Sequence, residues 1–376
     1  MSGLYLHIPF CKQKCNYCDF YFSVSLRNKE ALVNAIEKEL VLRKDEWKDS
    51  IQTIYFGGGT PSILSIAELE GIFKSIYSNY SVAKNAEISL EANPDDLSKS
   101  YIKDLQKLGI NRLSIGVQSF FDSDLHFMNR AHTSYEATNA IMNAQDTGIE
   151  NITIDLIYGI PGLSPAKWQK NLDTFLSLDI PHLSSYALTV EPKTVLAHQI
   201  KSKKIEALDD ELAKAHFDVL LSFMKGHEYL HYELSNFAKE GFLSQHNTSY
   251  WQGKSYLGIG PSAHSYNQKS RSWNVANNAT YINALKEGVL PNKVEYLTMS
   301  MRYNEYIMTG LRTMWGIDLD TIKKNFGEKY LSYLVKNVQK YLQEGTLELV
   351  NKNRVVVKSE KFFLVDGIIS DLFWVE

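Results

Sequence analysis

All three cysteines of this chain fall within eight residues, Cys11-Lys12-Gln13-Lys14-Cys15-Asn16-Tyr17-Cys18. That spacing, C-x3-C-x2-C, restricts the fold more than any other feature. A disulfide framework uses an even number of dispersed cysteines. A structural zinc site takes four Cys or His ligands. Three clustered thiolates suit a [4Fe–4S] cube with three irons tied to protein and one left open. The competing readings are a zinc loop completed by His7 or Asp19, and three incidental thiols. On the iron–sulfur reading, Cys11, Cys15 and Cys18 are the metal ligands, and the loop must sit on a rigid frame.

The frame is legible in the apolar periodicity. Strands are expected at 3–9, 51–56, 86–91, 112–118, 151–158 and 183–190. Helices are expected at 28–44, 65–79, from Ser98 to near Gly109, at 122–129, 134–147 and 165–178. Ser65 with Glu68 forms a capping-box signature. Six strand–helix units predict an α/β fold with a parallel sheet, open to a partial barrel or a doubly wound arrangement. The cysteines, Gly58, Gly59, Thr60, Glu91, Gln118 and Asp155 lie at or just past the C-terminal ends of these strands. Parallel α/β folds bind ligands at that end.

After residue 195 the alternation fades. A helix at 208–225 and a strand at 229–234 are expected, followed by loops carrying 245–251 and 258–265. From about 298 the pattern changes to helices at 298–313, 318–325 and 328–343 and short strands at 347–350 and 354–358, a winged-helix-like arrangement. The chain therefore divides into 1–195, 196–295 and 296–376. Its 376 residues carry a formal charge of -3, which argues against a general nucleic-acid binder. No apolar run reaches the roughly 18 residues of a membrane span. The clustered thiols and the lack of a signal-peptide pattern point to the cytoplasm.

The run Tyr5-Leu6-His7-Ile8-Pro9-Phe10, the cysteine triplet and Gly57-Gly58-Gly59-Thr60-Pro61 together resemble the radical S-adenosylmethionine (SAM) proteins of the oxygen-independent coproporphyrinogen III oxidase-like family. The resemblance runs from residue 4 to the C-terminus. It implies a partial (β/α)6 radical SAM barrel with a C-terminal, mostly helical, winged-helix-like domain. It implies SAM chelated on the open iron and cleaved by one electron to a 5′-deoxyadenosyl radical. By match to the family, Tyr5, Gly58 and Glu91 contact that SAM. Tyr17, Gly59, Thr60, Gln118, Arg130 and Asp155 match positions that hold a second SAM in the oxidase. An inward Asp155 between Ile154 and Leu156 needs a partner. Arg130 is the candidate, and a plain ion pair between the two is the competing reading.

The pattern His246-Asn247-Thr248-Ser249-Tyr250-Trp251 is similar to one in the heme-chaperone branch of the family. A neutral His246 could ligate heme iron beside Tyr250 and Trp251; the alternative is a loop histidine with a core tryptophan. His264 is a weaker alternative ligand or a SAM contact, and His132 and His231 read as structural. Two departures separate this chain from the oxidase. Asp19-Phe20 follows Cys18 where the oxidase has Cys-x-Cys, and the motif strand is expected to begin at Leu4 with no closing segment before it. Both favour a protein that binds heme and passes it to acceptor proteins, with peripheral membrane contact allowed, over a porphyrinogen decarboxylase.

Overall fold

The computed structural model describes residues 3–375. Six parallel strands form its centre: β1 (Gly3–Ile8), β2 (Ile51–Gly58), β3 (Val82–Ala92), β4 (Arg112–Gln118), β5 (Asn151–Tyr158) and β6 (His182–Ala187). Helices α1 (Lys29–Leu42), α2 (Ile66–Asn79), α3 (Lys99–Lys107), α4 (Asp122–Phe127), α5 (Ser134–Asp146) and α6 (Pro165–Ser177) connect them. Ser65 and Glu68 form the expected capping box on α2, and Ser98 caps α3. β3 begins four residues earlier than the periodicity indicates. Lys84 and Asn85 are exposed there, and the register slips between Ile51 and Thr53, so the apolar signal starts only at Ala86. β6 stops at Ala187, and Leu188 turns to donate its N–H to Tyr158.

The strands alternate in an unusual sense. Leu4, Leu6, Ile54, Phe56, Leu90, Leu113, Ile115, Ile152, Ile154 and Leu183 are buried, on the face toward the helices. The opposite face carries Tyr5, Tyr55, Glu91, Arg112, Ser114, Thr153, Asp155 and Ser184, most of them lining one internal chamber. Period-two alternation thus separates a helix-packed apolar shell from a polar interior. A polar interior on this scale is costly unless each group is paired or faces a ligand.

The middle of the chain departs from expectation. After α7 (Val195–Lys201) and α8 (Asp210–Gly226), strands β7 (Leu230–Glu233) and β8 (Asn236–Ala238) add to β6 antiparallel. The expected loop 245–251 is a helix, α9 (Gln245–Trp251), capped by Ser244. The expected loop 258–265 contains the second half of β9 (Tyr256–Ile259), which pairs parallel to β1, and the start of β10 (His264–Tyr266). β11 (Ser270–Asn274), α10 (Asn278–Lys286) and β12 (Asn292–Tyr296) follow. Polar, glycine-rich composition hid these short elements. The result is one open sheet of order β12-β11-β10-β9-β1-β2-β3-β4-β5-β6-β8-β7.

The C-terminal part holds α11 (Met299–Leu311), β13 (Ile317–Asp318), α12 (Leu319–Phe326), α13 (Glu328–Gln343), β14 (Leu347–Val350), β15 (Arg354–Val357) and α14 (Val365–Leu372). Its three strands form a separate sheet, as a helical module with a small hairpin requires. No described helix is long and apolar enough to cross a membrane.

Candidate functional site

The cysteine loop begins where β1 ends, and backbone bonds extend the sheet into it. Gly59 N–H donates to the Ile8 carbonyl (2.9 Å), and Thr60 N–H donates to the Phe10 carbonyl (2.7 Å). This geometry explains the glycine run. A Cβ on Gly59 would lie 2.6 Å from the Phe10 carbonyl oxygen, a backbone atom that cannot step aside. Gly58 has φ +114°, and a Cβ there would strike the His7 ring at 2.8 Å. The far side of the loop is pinned to residues 127–130. Asn16 donates to the Phe127 carbonyl (2.7 Å), Gln13 to Asn129, and Asn129 to the Lys14 carbonyl. Lys12 forms ion pairs with Asp95 (2.8 Å) and Asp96 just beyond β3.

Cys11, Cys15 and Cys18 are all free and partly buried on this loop. Burial pushes the Cys11 thiol up to about 11, against a lowering hydrogen bond with Thr60, and raises that of Cys18. The Arg130 guanidinium lies 3.4 Å from Cys15 Sγ. Three thiols held on one rigid loop, with a cation beside them, fit the donor set of a cluster with three protein ligands. His7, one of the two suggested fourth zinc ligands, is instead turned inward, its Nδ1 hydrogen-bonded to Tyr5 (3.0 Å). Among the described residues, no three His, Cys, Asp or Glu side chains converge as a single-ion site.

Beneath the loop lie the acidic groups. Glu91 accepts from Tyr55 (2.8 Å) and from the Gly58 backbone N–H (3.1 Å), and burial raises its pKa. Tyr5 stacks on Tyr55, with ring centroids 6.1 Å apart. Asp155 is pushed up to about 7, first by burial and then by the charge of Glu91, with Arg130 and Ser184 pulling the other way. The competing reading, a plain Arg130–Asp155 ion pair, is not formed among the described residues. Arg130 donates instead to Asn93 (2.7 Å) and the Gly116 carbonyl (2.9 Å), and its buried Nε has no partner among the described residues. Gln118 ends β4 in the left-handed region (φ 67°). A Cβ on Gly116 would meet the side chains of Gln118 and Arg130, so both converge on that point. Tyr17 is held near Arg130, Cys15 and Asp155, and burial raises its pKa. The rim candidates are therefore brought together. Asn93 and Tyr55 complete the set; both sit at the inward phase of a strand or just past its end, the signal that could have marked them.

His246 lies elsewhere. It is 1% exposed, at the N-terminal end of the strands, beside Gly3, Thr53 and Glu87. Its Nδ1 bonds Thr53 (2.8 Å) and its Nε2 bonds Tyr250 (2.7 Å). Burial lowers its pKa to about 3, so the ring is neutral. Both nitrogens are engaged, which leaves no open position for an iron. His132 and His231 are structural: the first bonds the Val117 carbonyl, and the second stacks on Phe237.

Two cavities meet at Tyr186 and Asn247. The chamber under the rim has a volume of about 60 Å³. A cleft of about 1170 Å³ opens from it between the β9–β11 edge, α9 and the C-terminal part.

Residues 5–175 match the Radical SAM superfamily and residues 297–356 match the HemN C-terminal domain. The solved structure of coproporphyrinogen III oxidase (HemN) from Escherichia coli, a radical SAM enzyme, superposes with a TM-score of 0.85, covering 99% of this chain and 90% of that one at 22% identity. That likeness shows the fold. Two proteins named heme chaperone HemW are nearer in sequence. The one from Bacillus subtilis is 37% identical over 92% of each chain, and the one from Lactococcus lactis is 31% identical over 97% of this chain and 93% of its own. The chain belongs to the HemW family of radical SAM proteins.

Proposed function

We propose that this protein is a cytoplasmic heme chaperone, which binds heme and passes it to acceptor proteins. One observation carries the reading: identity of 37% to a protein of that name extends over 92% of both chains. Cys18-Asp19-Phe20, with Phe20 where a Cys-x-Cys has its second cysteine, supports it.

In this reading Cys11, Cys15 and Cys18 hold a [4Fe–4S] cluster. When bound, that cluster with SAM supplies one-electron chemistry at a sulfonium. The chain's own residues set the stage for it. Tyr5, Gly58 and Glu91 bind and orient the SAM, with Tyr55 fixing the Glu91 carboxylate by its 2.8 Å hydrogen bond. Gly58 offers no side chain that could obstruct it. Tyr17, Gly59, Thr60, Gln118, Arg130 and Asp155 surround the position for a second SAM. The unpartnered Arg130 Nε and the raised Asp155 carboxyl leave bonding capacity there. Gly59 acts through the backbone, by letting β2 lie against Phe10.

The test is anaerobic turnover of the reconstituted protein with reductant, SAM and coproporphyrinogen III, the tetrapyrroles being read by mass. The expected result is an intact substrate, together with a defined heme complex on titration with ferric heme. Loss of two carboxyl groups as carbon dioxide would establish the alternative, an oxygen-independent coproporphyrinogen III oxidase.

A further inference from the structure

We propose that heme binds in the cleft between the β9–β11 edge and α11, with His264 as the axial ligand and Arg302 and Lys254 as partners of the two propionates. The inference rests on the heme-chaperone reading and names the site within it.

The cleft volume, about 1170 Å³, exceeds the roughly 300–1,000 Å³ of ordinary small-molecule sites and suits a large flat ligand. Its wall includes Tyr250, Trp251, Tyr256, Tyr266 and Trp315, which give planar apolar surface. Its charge is selective. The acids that line it are already engaged: Glu233 by Asn236, Glu305 by Arg271, and Asp318 by the Thr321 N–H. Arg302 and Lys254 line the same cleft, and among the described residues neither has an ion-pair partner. Two free cations on an aromatic cleft match a planar ligand with two carboxylates.

His264 is the histidine among the lining residues. It is exposed on β10, its ring stacked on Trp273 at 6.1 Å. Neither ring nitrogen has a hydrogen-bond partner among the described residues, in contrast to both nitrogens of His246. Partial burial, and then the charge of Arg271, lower its pKa, which keeps the imidazole neutral and able to ligate. The HNxxYW segment enters the site through Tyr250 and Trp251 as wall, while its histidine ties α9 to β2.

The experiment is titration of the cluster-reconstituted protein with ferric heme, read by the Soret band and by electron paramagnetic resonance of the iron. His264→Ala is expected to weaken binding about tenfold or more and to change the axial signature, with added imidazole restoring it. Arg302→Glu is expected to weaken binding with the axial signature unchanged. If the wild-type protein binds heme and His264→Ala leaves both affinity and signature intact, the site is overturned and the chaperone reading stands. A wild-type protein that binds no heme overturns both. Circular dichroism of each variant separates a lost ligand from a lost fold. Should His264→Ala fail to fold, His264→Met supplies a different axial donor, and an unchanged signature there overturns the site equally.

Discussion

The C-terminal rim of the sheet and its N-terminal floor carry motifs that look equally functional in the sequence, yet they are opposites in bonding. At the rim, the thiols of Cys11, Cys15 and Cys18 are free, Arg130 Nε and His7 Nε2 have no partner among the described residues, and Asp155 holds its proton near neutrality. At the floor, His246 spends both nitrogens on Thr53 and Tyr250, and Glu87 accepts the first N–H groups of α9. Both regions are rich in Tyr, His and carboxylates. What distinguishes a site from a plug is bonding capacity left unspent.

The sharpest way to break this contrast is at the thiols. Cys15→Ala should abolish cluster assembly, with iron and sulfide content falling to background after reconstitution, while the folded secondary structure persists. Retention of a full cluster would remove the rim from the chemistry.

Substitution at the floor should do the reverse. His246→Ala leaves a cavity and orphans two hydroxyls, so it should cost about 3 kcal/mol in denaturant unfolding. Heme ligation should keep its axial signature. A stable variant with lost heme ligation would make His246 a ligand after all and erase the distinction.

A smaller effect comes from Glu233, whose carboxyl is pushed up to about 7 by burial. Its folded pKa lies above the unfolded value, so its contribution is full below pH about 4.5 and is lost as pH rises through about 7. Glu233→Gln should flatten the pH dependence of stability across that window, by at most on the order of 3 kcal/mol. An unaltered slope would show that the carboxyl is not held neutral.

The smallest effect is expected at Lys12, which ties the cysteine loop to Asp95 and Asp96 but is 41% exposed at its side chain. Lys12→Ala should cost about 1 kcal/mol or less and leave cluster content unchanged. A large loss of cluster would mean that this ion pair, rather than the backbone bonds to Ile8 and Phe10, holds the rim.

Local rules carried much of the fold. The period-two runs of β1 to β6, the Ser65–Glu68 capping box and the grouping of polar residues at strand ends are short-range signals, and the structure places them where those signals point. The loop of Cys11, Cys15 and Cys18 falls at the end of β1 for the same reason. The segments that escaped are those whose structure is imposed by neighbours. β9 is four residues long and exists because β1 offers it an edge. α9 is a short helix held by Glu87 and Thr53 from distant strands. Arg130 and Asp155 looked like a pair from their types alone; their true partners, Asn93, the Gly116 carbonyl and Ser184, are set by where β4, β5 and β6 end.

By itself the sequence determined the chemistry available: three thiols on one loop, glycines where no Cβ fits, and alternation that puts polar groups on one face. These follow from covalent spacing and strand geometry, which act over a few residues. Only the tertiary structure decided which groups remain open. His246 and His264 both fall in polar segments that read as loops; one is closed by hydrogen bonds from β2 and α9, and the other faces a cleft assembled from β9–β11, α9 and α11. That outcome depends on partners 193 residues away in the chain, a distance over which no local pattern carries information.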